Sequence, residues 1–137
     1  MEPVVSKIFI YPVKSFDPLE LNEVTIGKRC LLHDREFAVF NQEGKYVNGK
    51  RTPKINEIRS EFDMNEYSVI FNVPGETSSV KFNLLDDKVL IENYLSDYFG
   101  YKVFLLRNDE GKFLDVLVNS GITISSDSSL RSIKDYF

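Results

Sequence analysis

The chain has one cysteine, one histidine and no tryptophan among its 137 residues. Cys30 alone cannot close an internal disulfide, and a single thiol with a single imidazole excludes cysteine-rich zinc sites and histidine-rich metal clusters. No apolar run approaches the roughly 20 residues that a membrane-crossing helix needs. The amino terminus, Met1-Glu2-Pro3, shows no basic stretch followed by an apolar one, so no leader is expected and the chain is read as cytoplasmic. A basic excess is missing too: 17 Lys and Arg stand against 21 Asp and Glu, a formal net charge of -4. Such a surface does not neutralise many phosphates at once, which argues against general nucleic-acid binding but leaves a local anion pocket open. There is also no glycine-rich phosphate loop, dinucleotide fingerprint, calcium loop or acid–base carboxylate pair.

What remains is 42% hydrophobic and 28% charged, the composition of an ordinary soluble globular domain. At this length one domain buries roughly two-thirds of its unfolded surface, enough for a core without staples. Val4 to Tyr11 is β-branched and aromatic on both faces, which predicts a strand buried on both sides. Val24 and Ile26 alternate with Glu23 and Thr25, and Phe37 and Val39 with Glu36 and Ala38, as half-buried strands do. Gln42-Glu43-Gly44 reads as a hairpin turn, and Asn48-Gly49 as a second turn leading into Lys50-Arg51-Thr52-Pro53. Further strands are expected around Ile55 to Phe62, Tyr67 to Phe71 and Val80 to Leu84, with Pro74-Gly75 between the last two.

The period then changes from 2 to about 3.6. Ile91, Tyr94, Leu95, Tyr98 and Phe99 define one helix, with Asp86 or Asp87 as cap and Gly100 at its end. Tyr101 to Arg107 reads as a strand, closed by Asn108-Asp109-Glu110-Gly111. Gly121 to Ser125 reads as a short strand, and a helix is expected from Ser126 with Leu130, Ile133 and Phe137 on one face. The expected class is α+β: a small, mostly antiparallel β-barrel with one packed helix and a short C-terminal helix.

Three clusters can carry chemistry. In Tyr11-Pro12-Val13-Lys14-Ser15 the proline ends a strand and turns the chain outward. Lys14 beside the Ser15 hydroxyl then suits an anion such as phosphate, or Lys14 is a solvated loop lysine. In Leu31-Leu32-His33-Asp34-Arg35-Glu36, Arg35 offers a planar donor fork for a phosphate or heterocycle edge with Asp34 to hold it, or the two form a surface ion pair. Lys50 and Arg51 extend an anion site or keep a hairpin soluble. His33 is a general base by its intrinsic pKa or a structural histidine, for no activated nucleophile accompanies it. Cys30, among leucines, reads as a small buried hydrophobe.

Taken in order, YPVKS at 11–15, LLHDRE at 31–36 and NGKRTPKI at 48–55 resemble the signature of the amino-terminal β-barrel domain of the MOSC (molybdenum cofactor sulfurase C-terminal) family. The helix around Leu95 to Phe99, Gly100 and the strand to Arg107 are similar to the elements that close that domain. Ser126 to Leu130 resembles the start of the family's cysteine-bearing core. The resemblance implies residues 1–120 as the barrel domain and 121–137 as the start of a truncated core segment. It implies binding of a molybdopterin-type molybdenum cofactor, with Lys14, Ser15 and Arg35 at the cofactor-contacting positions and Arg51, Ser126 and Ser129 as further candidates.

There are departures from the pattern. Phe16-Asp17-Pro18 follows Lys14-Ser15 where the family often has Cys, a basic residue and Gly, and Cys30 stands at a glycine position. The family's metal-ligating thiolate belongs beyond Phe137, so no catalytic or metal ligand is assigned to this chain. The reading that follows is a domain that gives phosphate and pterin contacts and is completed by a separate MOSC core chain or redox partner, inactive alone. The alternative is a non-catalytic module for a small anionic ligand or a protein partner.

Overall fold

A computed structural model describes residues 2–109, 113 and 122–136. Seven strands and two α-helices follow in the order β1 (Ile8–Ile10), β2 (Leu19–Leu21), β3 (Phe37–Asn41), β4 (Arg59–Asp63), β5 (Ser68–Asn72), β6 (Val80–Asn83), α1 (Lys88–Phe99), β7 (Val103–Arg107) and α2 (Asp127–Tyr136). A short 3-10 helix, Pro53–Asn56, precedes β4. The strand ladders are antiparallel and fall into three sheets, β1-β2, β3-β7 and β4-β5-β6. The class is α+β, as the pattern predicts, with the described ladders forming separate sheets rather than one continuous ring. No helix among the described residues is long and apolar enough to cross a membrane.

Helix α1 forms where the 3.6-residue period placed it. Ile91, Leu95 and Phe99 are buried, and Tyr94 and Tyr98 pack at the margin of the core. Gly100 ends it at φ 83, the left-handed conformation that glycine adopts without a Cβ clash, and its N–H donates to the Ser96 carbonyl. Asp87 occupies the N-cap position, but its carboxylate accepts from the Asn83 N–H instead of capping the helix. The helix packs on β6 and β7. Tyr94 stacks on Phe71 at 5.8 Å and meets Phe82 edge-on at 5.4 Å. Phe16 reaches Phe71 from the other end of the core, 5.7 Å between centroids.

The Asn41–Gly44 hairpin turn is present, with Gly44 at φ 74 and its N–H bonded to the Asn41 carbonyl. Phe40 bridges Tyr46 across it. Three expectations need correction. Only Ile8–Ile10 of the Val4–Tyr11 stretch is strand, and Val4, Val5 and Phe9 are exposed. Its one partner is the three-residue β2, so neither face is covered along its whole length. Val24 to Ile26 is not a strand: Ile26 bridges Leu31 in a tight hairpin stub and is 72% exposed. Ile122 to Ser125 carries no strand, and Gly121, Glu110 and Gly111 lie outside the described residues. Helix α2 begins as predicted, at Asp127.

Leu95 and Leu90 lie on opposite faces of α1, 1% and 56% exposed. Leu95→Ala should destabilise by about 2–5 kcal/mol and Leu90→Ala by less than about 0.5 kcal/mol, measured by urea unfolding; equal costs would refute this placement of the helix.

Candidate functional site

The YPVKS segment and the start of β3 lie side by side. Arg35 N–H donates to the Tyr11 carbonyl at 2.7 Å, Phe37 N–H to Pro12 at 3.0 Å, and Lys14 N–H to Phe37 at 2.9 Å. Val13 and Phe37 form a parallel bridge, both 1% exposed. Two segments about 20 residues apart in sequence thus share one ladder, and this brings the backbones of Lys14, Ser15 and Arg35 to one corner.

Their side chains then part. The Arg35 guanidinium lies over the Tyr11 ring, 4.7 Å from its centroid, and Nη1 donates to Asp34 at 2.6 Å. Asp34 is buried, and its other oxygen accepts from the Tyr11 N–H at 2.8 Å. The arginine side chain remains 32% exposed, so it is a cation fixed from behind and open in front. Lys14 is buried; its ammonium donates to the Phe113 carbonyl at 3.2 Å and lies 4.8 Å over the Tyr46 ring. A solvated loop lysine is therefore not what the fold makes of it. Arg51 is exposed, and Nη1 reaches the Tyr46 carbonyl at 3.5 Å, so Tyr46 joins the third cluster to the first. Ser126 and Ser129 sit elsewhere. They are exposed at the start of α2, where the Ser126 hydroxyl donates to the Ser129 hydroxyl and accepts the Ser129 N–H at 3.1 Å, capping the helix. No described contact joins them to Lys14, Ser15 or Arg35.

Backbone strain concentrates here. Among the described residues the non-glycine positions with positive φ are Ser15 (73), His33 (68), Arg35 (50) and Tyr67 (55). Each costs on the order of 1–3 kcal/mol, and such residues gather at functional sites. Ser15 is the third residue of the turn closed by Phe16 N–H on the Val13 carbonyl. His33 and Tyr67 meet edge to face at 5.4 Å.

These two belong to a network that the sequence did not announce. Glu36 is buried; Oε1 lies 2.8 Å from His33 Nδ1 and Oε2 accepts from Arg107 Nε at 2.9 Å. Arg107 spans the Tyr67 and Phe37 rings. Burial pushes the Tyr67 phenol above its ordinary value, and the Glu36 charge adds to this while Arg107 opposes it. The Glu36 hydrogen bond raises the Arg107 pKa against the effect of burial. Glu36 and Arg107 lie 71 residues apart, so only the His33–Glu36 spacing carried any local signal. Cys30 is a buried thiol directed at the Asp34 carbonyl, in keeping with a small hydrophobe.

The family model of the MOSC N-terminal beta barrel domain matches residues 2–95, which contain the whole Lys14–Arg35 corner. The chain belongs to this family. The MOSC domain is also similar to the molybdenum cofactor sulfurases of Bos taurus, at 26% identity over 124 residues, and of Homo sapiens, at 24% over 124 residues. Each alignment covers 76% of this chain and 14% of the relative, so the chain spans a small part of those proteins' length. The molybdenum cofactor sulfurase of Danio rerio is 39% identical over 51 residues, 37% of the chain.

Removing Arg107 strands a buried carboxylate. Arg107→Ala should cost about 2–3 kcal/mol, below the full value for a buried pair because the arginine is partly exposed; a loss under about 0.5 kcal/mol in urea unfolding would show that Glu36 does not depend on it. Tyr67 holds its proton to higher pH when folded than when unfolded. Its contribution is therefore complete below the unfolded value of about 10 and lost as pH rises through the folded one. Tyr94 and Tyr98, also raised by burial, act in the same direction. Unfolding free energy measured from pH 8 to 11 should fall at the alkaline end, and Tyr67→Phe should flatten that fall.

Proposed function

We propose that this MOSC domain supplies the anion-recognising half of a molybdopterin-type cofactor site, with Lys14, Ser15 and Arg35 as the contacts. The observation that carries the reading is Arg35: a guanidinium anchored by a buried carboxylate, stacked on Tyr11 and partly exposed beside the Lys14–Ser15 turn. The donor set suits the group. A phosphate accepts from an ammonium, a hydroxyl and a guanidinium together, and a pterin ring offers acceptors along its edge to a planar donor fork. Asp34 fixes the fork before any ligand arrives, so less side-chain entropy is lost on binding. The cofactor would supply the redox or sulfur chemistry, and this chain would bind and orient it.

In this reading residues 1–120 form the barrel domain, and 121–137 lead into a core that carries the metal-ligating thiolate. Arg51 joins the site through Tyr46. Ser126 and Ser129 join it only if helix α2 docks with that core.

The test is co-expression of the full chain with a cysteine-bearing MOSC core, followed by metal and pterin analysis of the purified complex. Molybdenum and pterin should be retained together. Arg35→Ala should lower retention about ten- to hundredfold, the worth of a charge-assisted hydrogen-bond pair, with Arg35→Lys in between. A wild-type complex that retains neither, or an Arg35→Ala complex that retains both in full, would refute the assignment.

A further inference from the structure

Residues 25–33 build a second constellation, apart from the Lys14–Arg35 corner. Leu32 N–H donates to the Thr25 carbonyl at 2.8 Å and Gly27 N–H to the Cys30 carbonyl at 2.8 Å, closing a tight hairpin with Lys28 and Arg29 at its tip. Gly27 sits close to that closure: a Cβ there would stand 3.0 Å from the Cys30 carbonyl oxygen, tighter than most Cβ contacts. Both cations are exposed, and among the described residues neither has an ion-pair partner. Beside the tip lies a cavity of about 320 Å³ whose lining runs from Lys28 and Arg29, through Leu31 and Leu32, to His33 and Glu36; Asp109 is its other carboxylate. That volume is at the small end of the range for ligand sites.

His33 makes this cavity specific. Glu36 takes Arg107 on one oxygen and holds His33 Nδ1 on the other, so the ring nitrogen left for a ligand is Nε2. Arg107 offsets the Glu36 charge, so Lys28 and Arg29 together outweigh the remaining lining carboxylate, Asp109. The imidazole is fixed three ways: by Glu36, by the edge of Tyr67, and by its own backbone at φ 68. Its side chain is still 23% exposed.

We propose that this cavity binds a small monocarboxylate with a short apolar body. The ligand carboxylate is met by Lys28, Arg29 and the His33 ring, whose Nδ1 is held by Glu36. The hydrocarbon lies against Leu31 and Leu32. This site is independent of the proposed cofactor contacts.

Isovalerate, isovaleramide and inorganic phosphate serve as probes in NMR titrations of the full chain. Isovalerate should bind saturably, with amide shifts centred on residues 28–33. The neutral amide lacks the charge and phosphate lacks the apolar body, so each should bind at least about tenfold more weakly. His33→Asn keeps a residue that tolerates positive φ and should weaken isovalerate about tenfold or more, as should the exposed double variant Lys28→Gln/Arg29→Gln. Arg35→Lys, which keeps a cation for buried Asp34, should leave it unchanged, and this separates the site from the cofactor reading. Non-saturable or dispersed shifts, equal binding of the amide or of phosphate, or undiminished affinity in the double variant would overturn the proposal. Should His33→Asn fail to fold, the double variant decides alone.

Discussion

Asp34 and Glu36 flank Arg35, and both are buried. A buried carboxylate costs several kcal/mol unless it is paired and hydrogen-bonded, so each must keep its partners. Asp34 keeps the Tyr11 N–H and the Arg35 guanidinium; Glu36 keeps His33 and Arg107. The first set ties the start of β3 to the YPVKS segment, and the second ties it to the end of β7. Val13, Phe37 and Val39 fill the core at this point, but apolar contact alone tolerates a slip in register. The carboxylates do not, because any slip would leave one of them without a donor. The corner that presents Lys14, Ser15 and Arg35 is therefore fixed by acids that sit behind it.

The strain falls in the same stretch: the chain takes left-handed turns at His33 and Arg35, on either side of Asp34. Glycine would suit both dihedral requirements. It would also remove the imidazole and the guanidinium, so stability and the site's chemistry make opposite demands at these positions.

Elements whose signal is local were legible in the sequence. Helix α1 was readable from Ile91, Leu95 and Phe99 because its buried face repeats within a dozen residues, and β6 and the Gly44 turn were readable for similar reasons. Val4 and Val5 misled because β-branched residues favour extended chain whether or not a neighbour covers them, and here β2 covers only three positions. Ile26 misled in the same way: the alternation was real, but the partner was a six-residue hairpin from Ile26 to Leu31 rather than a sheet. In the site, the ordered motifs located Lys14, Ser15 and Arg35, whereas the burial of Lys14 beneath Tyr46 and Phe113 had no sequence signal. Arg107 and Tyr67 were invisible for a plainer reason. Their role depends on contacts from β7 and β5 to residues 33–36, and no short-range period encodes such contacts.

The chain leaves the shared ladder at Ser15 and rejoins it at Arg35, and both departure and return are anchored by the same few backbone hydrogen bonds. Between them the chain buries Phe16 in the core and pairs β2 with β1, and then turns out into the Lys28–Arg29 hairpin, which is closed by its own backbone hydrogen bonds. Loops stapled at the base tolerate changes of length and composition that their anchors do not. The ladder thus sets where Lys14 and Arg35 stand, while the self-closed hairpin walls the neighbouring cavity, so that replacing it would retune what the cavity admits without moving either residue.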